Sequence, residues 1–120
     1  MKIYWFSRHD LTNGQVETLK TMGYNAHEKK DLVFNDQIIE QIRGITPDKI
    51  VALVAPLKYG LILLREGYSI IEFENVPSAR QEGTFLCRGA WMHTLQDSKF
   101  FPCPVPLEAQ EQGDLSYNGR

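Results

Sequence analysis

Ile50-Val51-Ala52-Leu53-Val54 is a run without a single polar side chain. In water such a run is stable as a strand only when both faces are covered, the condition of a central strand in a parallel sheet flanked by helices. The longer apolar stretch from Ile50 to Leu64 is broken by Pro56, Lys58, Tyr59 and Gly60, which rules it out as one bilayer-crossing helix. The chain is therefore read as an α/β domain built around this strand.

The flanking pattern agrees. Lys2 to Phe6 is β-branched and aromatic and stops at Ser7, which predicts a first strand and a loop. Thr12-Asn13-Gly14-Gln15 has capping-box spacing, so a helix is predicted from Asn13 to Met22, with Val16, Leu19 and Met22 inward and Gly23 as its stop. Tyr24 to Glu28 is a short second strand with Tyr24 and Ala26 facing inward. Asn35 is placed as the N-cap of a second helix carrying Ile38, Ile39 and Ile42 and ended by Gly44 and Thr46-Pro47. Leu57, Leu61 and Leu64 form the stripe of a third helix, with Gly67 after it and a strand over Tyr68 to Phe73. Thr84 to Met92 mixes polar and apolar residues on both faces around Gly89 and is predicted to be an edge strand. Strands alternating with helices imply right-handed crossovers. The expected fold is a three-layer Rossmann-like sandwich with a mainly parallel sheet in flavodoxin-like order. Residues 1–95 form that domain, and 96–120 an irregular arm containing Pro102, Pro104 and Pro106, followed by a loose tail.

At 120 residues one core is expected. A net charge of −2 and a pI near 5.9 argue against coating long nucleic acids through a broad basic face, while leaving room for a small anion in a local cleft. The opening Met1 to Phe6 is too short in apolar length for a signal peptide. Cys87 and Cys103 are thus expected to be reduced thiols in a cytoplasmic protein with no membrane contact. No glycine-rich dinucleotide or phosphate-loop motif is present, and Cys87, His93 and Cys103 lack paired zinc spacing; no cofactor and no metal are expected.

In open parallel sheets ligands bind beyond the carboxyl ends of strands where strand order reverses. That rule selects Ser7-Arg8-His9-Asp10, then Ala55 to Gly60, then Glu74-Asn75. His9 carries an imidazole suited to moving a proton to or from an oxygen. Ser7 and Thr12 offer hydroxyls, Arg8 and Lys58 positive charge, and Asp10 and Pro56 shape the two turns. Lys58 opposes the dipole of the helix it opens, a conflict that an anionic ligand resolves. Each has a plainer use: Ser7, His9 and Asp10 as turn residues satisfying backbone groups, and Lys58 as a solvated lysine. Trp5 and Trp91 are assigned to packing.

Ser7, His9, Leu11, Thr12 and Gln15, within Trp5 to Gln15, match the opening of the small CRISPR-associated ring nucleases, and the Val54-Ala55-Pro56-Leu57 turn is similar in layout. The resemblance covers about ten residues by motif and the first two thirds of the chain by architecture. It implies a Rossmann-like homodimer binding a cyclic oligoadenylate across its two-fold axis. It also implies metal-independent cleavage, in which a ribose 2′-hydroxyl attacks the adjacent phosphate to leave a 2′,3′-cyclic phosphate. Ser7 and His9 would then lie against the phosphates, with His9 as acid or base. Arg8 and Lys58 are added by position alone. Such a protein serves antiviral signalling or its suppression. The competing readings are a nucleotide sensor or sponge, a nucleotide enzyme of another pathway, and a non-enzymatic interaction module docking through the arm from Phe100 to Leu107.

Overall fold

The apolar run becomes β3 (Ile50–Leu53), with Val51, Ala52 and Leu53 buried. It lies inside a six-stranded mixed sheet, β2-β1-β3-β4-β5-β6. The computed structural model describes residues 1–31 and 37–111. Around β3 the chain runs β1 (Lys2–Phe6), α1 (Asn13–Thr21), β2 (Ala26–Lys30) and α2 (Gln37–Ile45), then α3 (Leu57–Arg65), β4 (Ser69–Pro77), β5 (Phe85–His93) and β6 (Ser98–Pro102). A last helical turn covers 107–111. The expected Asn35 cap, and the tail beyond 111, lie outside the described residues.

β2, β1, β3 and β4 are parallel, whereas β5 and β6 are antiparallel additions. The sheet is thus mixed, with its parallel part in the four strands β2, β1, β3 and β4. Two expectations are corrected. The strand after Thr84 is not at the edge, because β6 pairs along it from Gly89↔Pro102 to His93↔Ser98. The stretch after Leu95, expected to be irregular, supplies that edge strand. A proline is excluded from a central strand but tolerated at the end of an edge strand, which is where Pro102 stands.

Alternation along the strands divides the core between the two faces. On one side Phe6, Val51, Leu53 and Ile70 pack with Ile38, Ile39 and Ile42 of α2 and Tyr59 and Leu63 of α3. On the other, Ile3, Trp5, Ala52, Ile71 and Ala90 pack with Leu19 of α1. Trp5, 2% exposed, meets Phe73 edge to face at 5.4 Å; full burial of a large side chain of this kind contributes about 2–3 kcal/mol.

Helix faces differ from the sequence reading in detail. α1 starts with the predicted capping box, but it buries Gly14, Gln15, Thr18 and Leu19 and leaves Val16 half-buried, because it lies directly on β5 near Cys87. α3 buries Tyr59 and Leu63, while Leu57 and Leu61 of the expected stripe are 76% and 42% exposed. Tyr24 is buried, but in the turn before β2, whose own residues are largely exposed. Its lysines at this edge oppose strand addition by another chain. Trp91 is only half-buried: it donates from Nε1 to Glu74 Oε1 at 3.1 Å rather than entering the core.

Candidate functional site

Chain order reverses at β1, which has β2 on one side and β3 on the other. The end of β1 is pinned from both: the Ser7 amide donates to the Lys30 carbonyl at 3.2 Å, and the Val54 amide donates to the Phe6 carbonyl at 3.3 Å. The loops after β1 and β3 therefore leave the sheet side by side, at the place where open parallel sheets hold ligands.

The first loop is rigid beneath an exposed surface. Ser7 is buried and its Oγ accepts the His9 amide at 3.1 Å. The Trp5 indole donates to the His9 carbonyl at 2.8 Å. Two bonds thus fix the His9 backbone while its side chain stands exposed, with no hydrogen bond to any other described residue. Arg8 and Asp10 are exposed too. Asp10 pairs with Lys29 at 3.3 Å, an exposed pair of little strength. Lys30 is engaged by Glu28 at 2.6 Å, and together with Lys2 it holds the Glu28 carboxyl down at about 2. Arg8 and Lys58 have no carboxylate partner among the described residues.

The two helix starts facing this edge differ. At α1 the Thr12 hydroxyl accepts the Gln15 amide at 3.3 Å while Gln15 Oε1 accepts the Thr12 amide at 2.9 Å, so the helix caps itself. At α3 the cap position is Pro56, with no side-chain bond to the first turn, and Lys58 is exposed with Nζ 5.0 Å from the Tyr59 ring centroid. The Tyr59 amide donates to the Pro56 carbonyl at 3.1 Å, but no side chain meets the first-turn amides and a lysine shares that end, a favourable setting for negative charge.

One group was not legible in the sequence. Asn13 Oδ1, at the first position of α1, is buried without a hydrogen-bond partner, and an orphaned acceptor costs about 1–3 kcal/mol unless a donor reaches it. The third segment expected at this edge does not belong to it. β4 runs on to Pro77, so Glu74 and Asn75 lie within the strand at a register shift opposite Gly89. Asn75 instead takes the Gln15 side-chain amide at 3.4 Å.

Elsewhere, a cavity of about 240 Å³ opens beside α3, lined by Leu57, Gly60, Leu64, Ile70, Glu72 and His93 among others. Another, of about 290 Å³, lies under the arm and includes Cys87, Arg88, Cys103 and Leu107. Burial pushes the Cys87 thiol up to about 11, whereas Cys103 is half-buried. Iodoacetamide at pH 8 is accordingly expected to alkylate Cys103 and spare Cys87 in the native protein, with both modified in urea, as peptide mass spectrometry would read. Among the described residues no group of three His, Cys, Asp or Glu side chains is placed to hold a metal ion, and no helix is long and apolar enough to cross a membrane.

No protein-family model, curated protein or solved structure matches this chain.

Proposed function

We propose that the crevice between the loops after β1 and β3 binds a small phosphate-bearing ligand of the cyclic oligoadenylate class, on a three-layer Rossmann-like domain that acts as a cytoplasmic homodimer. The observation that carries this reading is the uncapped start of α3, with Lys58 in its first turn, beside the reversal of strand order at β1. The motif match at Ser7, His9, Thr12 and Gln15 supplies the ligand class.

In this reading Ser7 is a positioning residue: its hydroxyl orders the turn that presents His9. The ribose 2′-oxygen attacks the neighbouring phosphorus, the bond to the 5′-oxygen breaks, and the proton lost by the 2′-hydroxyl is balanced by one gained at the 5′-oxygen. The products are a 2′,3′-cyclic phosphate and a 5′-hydroxyl, and no water is consumed. His9 handles one of those protons, and Lys58, Arg8 and the α3 amides offset charge on the phosphate. Thr12 and Asp10 border the loop, and Pro56 sets the turn into α3.

Incubation with cyclic tri-, tetra- and hexa-adenylate in chelator tests the reading. His9→Ala is expected to lower turnover at least about tenfold with an unchanged melting temperature; full activity in that variant removes His9 from the chemistry. Lys58→Ala is expected to weaken binding and reduce its salt dependence by about one counterion. Binding without cleavage identifies a sensor or sponge.

A second reading has its own observation. Val54, Leu57, Leu61 and Ile62 are exposed apolar residues on or beside α3, suited to a protein partner or a second copy. Failure to bind any of the three rings, with self-association lost in Leu57→Glu, would favour an interaction module.

A further inference from the structure

His93, the last residue of β5, sits between two oxygen partners on neighbouring strands. Its Nε2 is 2.8 Å from Glu72 Oε1 on β4, and its Nδ1 is 2.6 Å from Ser98 Oγ on β6. A carboxylate can only accept, so Nε2 carries a proton, and in the neutral imidazole Nδ1 then presents its lone pair to the Ser98 hydroxyl. The Trp91 ring lies parallel to the imidazole, 6.2 Å away at 10°, and restrains its plane. The order carboxylate, imidazole, hydroxyl is that of a nucleophile with its base and orienting group, which is recognised by geometry rather than sequence position.

What sets this row apart from an ordinary cross-strand polar ladder is its neighbour. His93 and Glu72 form part of the wall of the 240 Å³ cavity, whose remaining lining is apolar: Leu53, Ala55, Leu57, Leu64 and Ile70 among it. Pro56 and Leu57, the cap and first residue of α3, complete the wall. An apolar pocket and the uncapped positive end of a helix thus meet at His93 and Glu72, with the exposed Ser98 hydroxyl one hydrogen bond beyond them. Pro56 and the uncapped start of α3 are shared with the crevice proposed above, but the row of Glu72, His93 and Ser98 is separate from it and the inference does not depend on that reading.

We propose that Ser98, His93 and Glu72 form an acyl-transfer site for small esters whose apolar acyl group fills the cavity beside α3. Ser98 Oγ bonds to the carbonyl carbon while His93 Nδ1 takes its proton. The tetrahedral intermediate expels the alkoxide, which leaves with that proton as the alcohol. Water then attacks the acyl-serine, giving up a proton through His93, and releases the carboxylic acid and the free Ser98 hydroxyl. Ser98 and His93 are the catalytic residues; Glu72 is a positioning residue acting through the ring.

The test uses the whole protein with p-nitrophenyl butyrate, p-nitrophenyl acetate and a fluorophosphonate probe. The site predicts one phosphonyl adduct, on Ser98, absent in His93→Gln, and butyrate hydrolysis lowered about a hundredfold in Ser98→Ala. Glu72→Gln is expected to lower kcat about tenfold with KM unchanged. A Cβ at Gly60 would sit 3.8 Å from Ile70 Cδ1, an ordinary contact, so Gly60→Val narrows the cavity and is expected to raise KM for butyrate over that for acetate. Adducts absent or spread over other hydroxyls, or hydrolysis unchanged in Ser98→Ala, would reduce the row to a structural cross-strand link and overturn the proposal.

Discussion

Replacing Gly89 with alanine is expected to destabilise the protein by about 3 kcal/mol or more. Gly89 has φ 155°, a conformation L side chains rarely adopt. A Cβ there would lie 2.4 Å from the Phe101 carbonyl oxygen, 2.6 Å from Phe100 Cζ and 3.0 Å from Pro102 Cα. Two of those atoms are backbone of β6, which cannot yield without leaving its register beside β5. The position also faces the shift between Glu74 and Asn75 on β4, so neighbours on both sides constrain it. Urea denaturation should show a lower midpoint with little change in slope. A cost below about 0.5 kcal/mol would mean that β6 moves aside freely and is not anchored on the sheet.

A comparable loss, about 2–4 kcal/mol, is expected from Gln110→Ala. Gln110 is 2% exposed, and its Oε1 accepts the Cys87 amide at 2.8 Å. Its Nε2 donates to the Cys87 carbonyl at 2.8 Å and to the Val105 carbonyl at 2.9 Å. One side chain therefore does for Cys87 what a neighbouring strand would do, at a point on β5 where the ladder to β4 is irregular. Alanine leaves the buried Cys87 donor and acceptor and the part-buried Val105 carbonyl without this partner and removes the side chain that fills the space against Gly14. Gln110→Met, which preserves volume, isolates the hydrogen bonds: it should lose most of the same stability. Amide exchange at Cys87 should accelerate in both variants. Protection equal to the parent protein would show that this amide has another partner.

The parts of the fold legible in the sequence are those whose causes are local. Five apolar residues in a row located β3, the Thr12 and Gln15 pair located the start of α1, and Gly23 and Gly67, both at positive φ, marked helix ends. The second half resisted because its determinants are distant in sequence. Gly89 read as a weakness in a strand, yet it is the residue that lets β6 approach. Three prolines suggested an irregular arm, although Pro102 merely closes an edge strand and Gln110, in a polar stretch, turns inward. At the candidate site Ser7, Arg8, His9 and Asp10 were legible as a post-strand loop, and Pro56 and Lys58 as a helix start. Asn13 Oδ1 was not, since nothing about an asparagine near a helix cap announces an unmet acceptor. The Glu72, His93 and Ser98 row was invisible for a different reason: it exists only once the antiparallel register of β4, β5 and β6 is known.

The contact between Gly14 and Gln110 has a consequence in time as well as in energy. It joins the first helix to the last described turn, so nearly the whole described length is closed when Gln110 packs against Gly14, although Gln110 and Cys87 themselves lie only 23 residues apart. Contacts of such separation gain nothing until the chain entropy of closure has been overcome. The parallel half, β1 through β4, closes shorter loops than that, with Trp5 paired to Ala52, and can assemble before Gln110 packs against Gly14. Gln110 substitutions should then accelerate unfolding far more than they slow folding, and the persistence of the native state rests on a glutamine that arrives last.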